Sequence, residues 1–288
     1  MATRLLFIYL RINLFVANGI IGKIKKALNN FLSNPVFFLV RQLYRILFIL
    51  PFETVVSAVF VFISRKKPSD KQPSSFCFLV TSVIYPVSGK KVTYGSERSV
   101  FGPDDRAKQT LRTIESIRAK APGATVVLIE AGLKGDLPYD LQNKVDQYLY
   151  LGDKKLVRWA CDSRFKSLGE TAMLLYAVKS LKQDADFYFK ISGRYFLDDD
   201  FDINAWGEGQ FILYFLEDQD DYISTRLYGF RKEMKEQWAR ALIKGLPFSL
   251  IGYAIEHTLA KFIPKKYVYR IYKMGVTGIS ATNDIMKE

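Results

Sequence analysis

The sequence has few of the side chains that hold transition metals or act as nucleophiles. Its 288 residues include two cysteines, Cys77 and Cys161, which lie far apart in no CxxC pattern, and one histidine, His257. These counts exclude a cysteine metal site and a histidine-rich zinc site, and they give no sign of a disulfide framework. A Ser-His-Asp hydrolase would depend on His257 alone.

Common phosphate-binding signatures are missing as well. No GxGxxG follows the first predicted strand, and no GxxxxGK[ST] or Asn-x-Ser/Thr sequon occurs. Dinucleotide-dependent hydride transfer and ATPase chemistry therefore lose their usual support, so a phosphate ligand would need another binding mode. The absence of a sequon favours the cytosolic side over a secreted protein.

Basic charge is concentrated near the N terminus. Residues 1–67 contain ten Lys or Arg and one acid, so they contribute +9 of the net +13 and the other 221 residues only +4. Two apolar runs, 5–21 and 46–64, lie in the same stretch. Basic and apolar residues in one segment indicate an anionic membrane surface rather than a nucleic acid. We predict a membrane-associating helical segment at 1–67, with attachment in the interface favoured over a spanning helix. The other alternative is buried helices of a soluble domain.

A polar stretch with two prolines, 68–75, predicts a linker, and a different pattern begins at residue 76. Short apolar runs typical of buried strands alternate with helical periodicity from there to residue 192. One helix begins near Ser167, which with Glu170 three residues on predicts a capping box. Alternating strands and helices predict an α/β domain at 76–288 with a mainly parallel sheet flanked by helices. Ligands of such sheets bind beyond the carboxyl ends of the strands.

The strand "DFYFKIS" brings charged residues to that edge. Lys190, Ser192 and Arg194 alternate along the chain and so share one face unless Gly193 bends it. Two cations and a hydroxyl in line suit a diphosphate without a metal, with Arg194 in bidentate geometry. The alternative is an ion pair between Arg194 and a neighbouring aspartate.

Two of those aspartates, Asp198 and Asp200, offer a second way to hold a diphosphate. Carboxylates two residues apart in a turn can present oxygens to one Mg²⁺ or Mn²⁺ ion, which would bridge the phosphates. The alternative is a solvated acidic turn without a metal. The sequence therefore leaves metal-dependent and metal-independent binding both open.

The motifs "TSVI", "RAKQTLRTIESI", "KSLGE", "FYFKISGRYFL", "STRLYGF", "IEH" and "MGVTGISA" together resemble bacterial and viral glycosyltransferases of the GT-A type, which build capsule or lipopolysaccharide. The resemblance covers residues 76–281 and implies a donor half at 76–202 and an acceptor half at 203–288. It departs from the family at the fourth strand, where Ser192-Gly193-Arg194 stands in place of the usual Asp-x-Asp. The resemblance implies that the following residues bind the donor, together with Lys190, Ser192 and Arg194: Thr81, Ser82, Arg106, Glu130, Gly169 and Glu170.

For the acceptor half, the resemblance implies a carboxylate at a helix start that deprotonates the acceptor hydroxyl in an inverting transfer. Glu256 in "YAIEHTLAKFIP" fits, and the adjacent His257 would orient it or bind phosphate. Asp220 and Asp221 are reserve candidates, and Tyr228 is a candidate platform for stacking a sugar. The alternative is a surface Glu-His pair on an amphipathic helix.

Together these features predict a membrane-associated hexosyltransferase at a cytosolic membrane face, such as the bacterial inner membrane. Its expected partners are a nucleotide-sugar donor, a glycan or polyprenyl-linked acceptor and the anionic membrane surface. One alternative is a sugar-phosphate nucleotidyltransferase, for which the basic loop at 88–99 would be required. Another is a non-catalytic membrane adaptor with a transferase-like domain.

Overall fold

The computed structural model describes residues 40, 43–49, 51–52, 72–86, 100–216, 220–280 and 285–288. The chain divides into two units, Met1–Arg65 and Lys66–Glu288. In the first unit the described residues include a π-helical turn at Arg45–Ile49. None of the helices in the described ranges is long and apolar enough to cross a membrane. Most of the predicted membrane segment and the loop at 88–99 lie outside the described residues, so the expectations for them stay predictions.

The second unit contains five α-helices and ten strands within the described ranges. The helices are α1 (Pro103–Lys120), α2 (Lys155–Asp162), α3 (Lys166–Ser180), α4 (Lys235–Ser249) and α5 (Ile255–Phe262). The strands are β1 (Phe76–Ser82), β2 (Thr125–Glu130), β3 (Gln147–Tyr150), β4 (Phe187–Ser192), β5 (Tyr195–Leu197), β6 (Phe211–Tyr214), β7 (Leu227–Arg231), β8 (Val268–Ile271), β9 (Val276–Ile279) and β10 (Ile285–Lys287).

Seven strands form one sheet in the order β3-β2-β1-β4-β7-β6-β8, and β10-β9-β5 form a smaller one. In the large sheet only β7 runs against its neighbours, so four of the six pairings are parallel. The prediction of an α/β fold with a mainly parallel sheet flanked by helices is confirmed. Its domain boundaries stay a prediction.

The two faces of the sheet are covered by different helices. Alternate residues of β1 separate the two cores: Phe78 and Val80 pack on the side of α1, and Cys77 and Leu79 on the side of α3 and α4. In the sheet, β2 and β3 lie beside one edge of β1, whereas β4 pairs with its other edge, so the helices that connect these strands cover opposite faces. The order therefore reverses between β1 and β4, and such a reversal opens a crevice at their carboxyl ends.

The start of α3 differs from the prediction. The helix begins at Lys166 with Phe165 as its N-cap, and no side chain caps it. Ser167 lies inside the helix, where its Oγ accepts a hydrogen bond from the Ile255 N–H at 3.1 Å. The predicted capping box is wrong, because this hydroxyl joins the start of α3 to the start of α5 instead.

Candidate functional site

A cavity of about 160 Å³ opens at the carboxyl ends of β1 and β4, where the strand order reverses. The ends of both strands and the first turns of α1 and α3 form its wall. Seven of the nine residues predicted to bind the donor line this cavity: Thr81, Ser82, Arg106, Gly169, Glu170, Ser192 and Arg194. The fold thus brings together residues that lie up to 113 positions apart in the sequence.

Gly193 lets the end of β4 lie directly against β1 and α1. The Gly193 N–H donates to the Thr81 carbonyl at 2.9 Å, and the Gly193 carbonyl accepts from the Thr110 hydroxyl at 3.3 Å. A Cβ at this position would lie 2.9 Å from the Thr110 Oγ and 3.2 Å from the Thr81 carbonyl oxygen. The close approach explains why a residue without a side chain separates Ser192 from Arg194.

We therefore expect Gly193→Ala to lower the free energy of unfolding by about 1–3 kcal/mol, because the added methyl group overpacks the end of the strand. Thermal or urea unfolding measures this. Gly102→Ala is the control, since the nearest atom to a Cβ there is 4.0 Å away. Equal loss in both variants would contradict the packing account.

Cations dominate the charged groups of the cavity wall. Arg106, Lys166 and Arg194 face a single carboxylate, Glu170. Arg194 has no carboxylate partner in the part of the chain that the structure describes, so the alternative ion pair with a nearby aspartate is not formed there. A net positive cavity at this edge of the sheet favours an anionic ligand.

Arg106 also has a structural role. Its guanidinium donates to the carbonyls of Val83 at 2.8 Å and Phe101 at 3.1 Å. It thereby ties the start of α1 to the segment that leaves β1, and presents the remaining part of its charge to the cavity. Lys166 and Arg194 are the other two cations of the cavity wall.

Glu130 does not line the cavity. It is 1 % exposed and accepts hydrogen bonds from the Ser82 hydroxyl, the Ile84 N–H at 3.0 Å and the Gly132 N–H at 2.5 Å. Burial raises its pKa, although these donors act in the opposite direction. Glu130 therefore holds Ser82 in the cavity wall, and its predicted place near the nucleotide stays a prediction.

Lys190 is the centre of a buried charged group beneath the cavity. It is 1 % exposed, forms an ion pair with Glu170 and donates to the Thr225 carbonyl at 2.7 Å. The Thr225 hydroxyl in turn donates to Glu256 at 2.9 Å. Two carboxylates from α3 and α5 therefore share the surroundings of one ammonium group. We define these four side chains, Glu170, Lys190, Thr225 and Glu256, as the Lys190 cluster.

Within this cluster the two carboxylates differ in access. Both residues are partly exposed, but Glu170 lines the cavity and Glu256 does not. Burial raises the pKa of Glu256, and the nearby carboxylate of Glu170 raises it further. A substrate in the cavity thus reaches Glu170 before Glu256.

The raised pKa of Glu256 predicts a pH-dependent stability. The contribution of Glu256 to the free energy of unfolding is fully present below the ordinary pKa of 4.5. It is lost as the pH rises through the raised pKa, because the folded protein then holds a poorly solvated carboxylate. Glu256→Gln cannot ionise and keeps an oxygen for Thr225. We expect the melting temperature of Glu256→Gln relative to wild type to increase as the pH rises above 4.5 and to level off once the pH passes the raised pKa. The exposed control Glu115→Gln should show no such trend, and a pH-independent difference for Glu256→Gln would contradict the assignment.

His257 points away from the cluster. Its ring stacks on Tyr222 with a centroid distance of 4.5 Å, and its Nδ1 lies 2.9 Å from the Asp221 carbonyl oxygen. Since a carbonyl only accepts, Nδ1 carries the proton in this arrangement. The prediction that His257 orients Glu256 is wrong, because Thr225 does so; His257 also does not line the cavity, and neither do Asp220 and Asp221.

The predicted metal ligands Asp198 and Asp200 follow β5 in the small sheet and do not line the cavity. The oxygens of Asp198 accept from the Asp200 N–H at 3.0 Å and the Thr277 hydroxyl at 2.6 Å. Asp200 pairs with Lys273 and Lys287 at 2.9 and 3.1 Å, and these partners lower its pKa. Within the described ranges no three His, Cys, Asp or Glu side chains come close enough together to hold a metal ion. The aspartates thus fit a structural turn better than a metal site, and the use of Mg²⁺ or Mn²⁺ stays a prediction.

Tyr228 has no exposed face. It is fully buried in the core, its hydroxyl accepts from the Trp238 Nε1 at 3.0 Å, and Lys190 lies 5.9 Å from its ring. The prediction that it stacks on a sugar is wrong. The alternation of β7 places this ring on the side of α4, beneath the Lys190 cluster.

Comparison with known proteins gives distant matches only. No family model and no curated protein matches the chain. The galactosyltransferase LgtC in complex with donor and acceptor sugar analogues is 10 % identical over 67 % of this chain and 72 % of that chain, with a TM-score of 0.43. A nucleoside-diphosphate-sugar pyrophosphorylase from Vibrio cholerae RC9 is 12 % identical over 70 % and 94 % of the two chains (TM-score 0.40). The bifunctional glycosyltransferase WbbM is 11 % identical over 72 % and 40 % (TM-score 0.42). These similarities are too distant to assign a family or an activity.

Three polar residues of the site were missed from the sequence. Lys166 and Thr110 line the cavity, and Thr225 joins Lys190 to Glu256. Lys166 directly precedes the predicted helix start at Ser167. Because the first turn of that helix was predicted to lie near the donor, the sequence could have indicated Lys166 as a cation of the site. Thr110 and Thr225 carry no sequence signal, because their roles depend on which strand ends they meet.

Proposed function

We propose that the chain is a membrane-associated glycosyltransferase that moves a hexose from a nucleoside-diphosphate donor to a glycan or lipid-linked acceptor. One observation carries the proposal: a net positive cavity at the reversal of strand order, where α/β sheets bind their ligands. The sequence motifs that resemble GT-A enzymes support the same assignment.

The donor's diphosphate would lie against Arg194 and Lys166. Arg194 offers a planar fork of donors for two phosphate oxygens, and Lys166 adds a point charge at the start of α3. The hydroxyls of Ser82 and Ser192 lie in the same wall and suit ribose or phosphate oxygens. These groups would contact the diphosphate directly, and the titration with and without Mn²⁺ described below tests whether a metal ion takes part as well.

For the chemical step, we assign the general base to Glu170 instead of Glu256. The acceptor oxygen would attack the anomeric carbon, the bond from that carbon to the phosphate oxygen would break, and the nucleoside diphosphate would leave with the bonding electrons. Glu170 would take the acceptor's proton, while Arg194 and Lys166 stabilise the charge on the leaving group. Lys190 and Glu256 do not touch substrate in this scheme and position Glu170 from below.

Such a direct displacement inverts the anomeric configuration. The anomeric configuration of the product, measured from the coupling constant of its anomeric proton by NMR, distinguishes inversion from retention. Residues 1–67, which the sequence predicts to associate with a membrane, would keep the enzyme at the cytosolic face, where a polyprenyl-linked acceptor is confined.

The proposal is tested by calorimetric titration of the full chain with a panel of nucleoside-diphosphate sugars, with and without Mn²⁺. A transferase binds at least one donor of the panel, and turnover follows when acceptor is added. A nucleotidyltransferase would prefer a nucleoside triphosphate together with a sugar phosphate. An adaptor would bind no donor, and that result would overturn the proposed function.

A further inference from the structure

The end of α5 and the edge of the large sheet carry a run of cations interleaved with aromatic residues. The segment "KFIPKKYVYRIYK", residues 261–273, has five Lys or Arg and no acid. It includes the last two residues of α5, a short 3₁₀ turn at Lys265–Tyr267 and β8, which is the outermost strand of the seven-stranded sheet. Lys261, Lys265 and Lys266 are exposed.

The ammonium groups here lie next to aromatic rings. Lys261 Nζ is 4.5 Å from the ring centroid of Phe248 and 4.9 Å from that of Phe262. Lys244, from α4, lies 6.0 Å from the Phe262 ring, and Lys266 lies 4.8 Å from the ring of Tyr267. We define the basic edge as the following residues: Lys244, Lys261, Phe262, Lys265, Lys266 and Tyr267.

Acidic groups lie along β8 as well: Asp220 lines the same small cavity as Lys265, and Tyr269 is hydrogen-bonded to Glu208. Asp220 is 3.6 Å from Arg270, and Asp200 pairs with Lys273. Lys265 and Lys266 have no carboxylate partner in the described ranges. Edge strands often carry lysines that prevent strand pairing, but that role needs charges within the strand. Lys265 and Lys266 instead precede β8, so edge protection does not account for them.

We propose that the basic edge is a docking surface for an anionic lipid bilayer, separate from residues 1–67 and independent of the proposed transferase reaction. Long lysine side chains place their charge among headgroups while their stems and the adjacent rings remain at the apolar boundary. A membrane fits better than a long soluble polyanion, because residues 68–288 carry a net charge of only +4 and the basic charge here is local.

The test is partition of the full chain onto phosphatidylcholine vesicles with and without 30 mol% phosphatidylglycerol. Each lysine near a headgroup contributes about 1 kcal/mol, so Lys265→Gln/Lys266→Gln should lower the partition coefficient on the anionic vesicles roughly 25-fold. The control Lys134→Gln/Lys144→Gln makes the same change in charge. Both of its positions are exposed and lie next to β2 and β3, at the edge of the sheet opposite to β8. This control should bind as wild type does.

Equal partition of the two double variants on anionic vesicles would overturn the proposal. A loss of the same size on neutral vesicles would overturn it as well, since the surface is argued from charge. Unchanged vesicle binding with weaker binding to soluble heparin would assign the basic edge to a soluble polyanion instead. All four lysines are exposed, and unfolding curves of both variants verify that the fold is retained.

Discussion

Replacing Arg194 with alanine is expected to weaken the binding of a nucleoside-diphosphate sugar about 10- to 150-fold. Arg194 lies in the cavity wall without a carboxylate partner among the described residues, so its guanidinium is available for phosphate oxygens. A charge-assisted hydrogen-bonding group of this kind contributes about 1.5–3 kcal/mol. Calorimetry measures the change in Kd directly.

Two further variants make this prediction specific. Arg194→Lys keeps the charge but loses the planar fork, so its affinity should fall between those of wild type and the alanine variant. Arg112→Ala removes an arginine on the surface of α1 that packs over Phe196 and does not line the cavity. If Arg112→Ala weakened donor binding as much as Arg194→Ala, the effect would be one of overall charge and the phosphate assignment would be wrong.

Glu170→Gln is expected to lower kcat about 100-fold or more while the donor Kd changes by only a few-fold. Glutamine has the same shape and still accepts a hydrogen bond from Lys190, but it cannot take a proton from the acceptor hydroxyl. A positioned general base contributes about 10²–10⁴ in rate. Steady-state kinetics with saturating acceptor, together with calorimetry of the donor, separates the two effects.

Glu256→Gln is the matched comparison, because both carboxylates belong to the Lys190 cluster and only Glu170 lines the cavity. We expect a loss of less than ten-fold in kcat and a displaced pH–rate profile, since the neighbouring charge on Glu170 is coupled to Glu256. A larger loss in Glu256→Gln than in Glu170→Gln would return the base to Glu256, the residue that the sequence favours.

The sequence was sufficient for the parts of the fold that depend on local pattern. Continuous apolar runs predicted β1, β2 and β4, and helical spacing predicted α1 and α3, because each is a buried element with a clear period. The rule that ligands meet the carboxyl ends of parallel strands then placed Arg194 at that edge, and the resemblance to GT-A enzymes implied Thr81 there. Both line the cavity.

The sequence failed where a role depends on the direction of a side chain in the folded core. Tyr228 was assigned to a ligand, yet it is enclosed by partners from other elements, among them Trp238. The proposed assignment of the general base to Glu170 rather than Glu256 has the same origin. Only the packing of α5 against α3 determines which of two carboxylates faces the cavity.

The central claim, that the cavity between β1 and β4 holds the activated sugar, is tested most directly by hydrogen exchange on the full chain with a saturating donor from the panel. The account predicts slower exchange of amides at residues 81–83, 166–170 and 192–194, with unchanged exchange near Lys265 and Lys266. Protection confined to other parts of the chain, with none at these three segments, would contradict it.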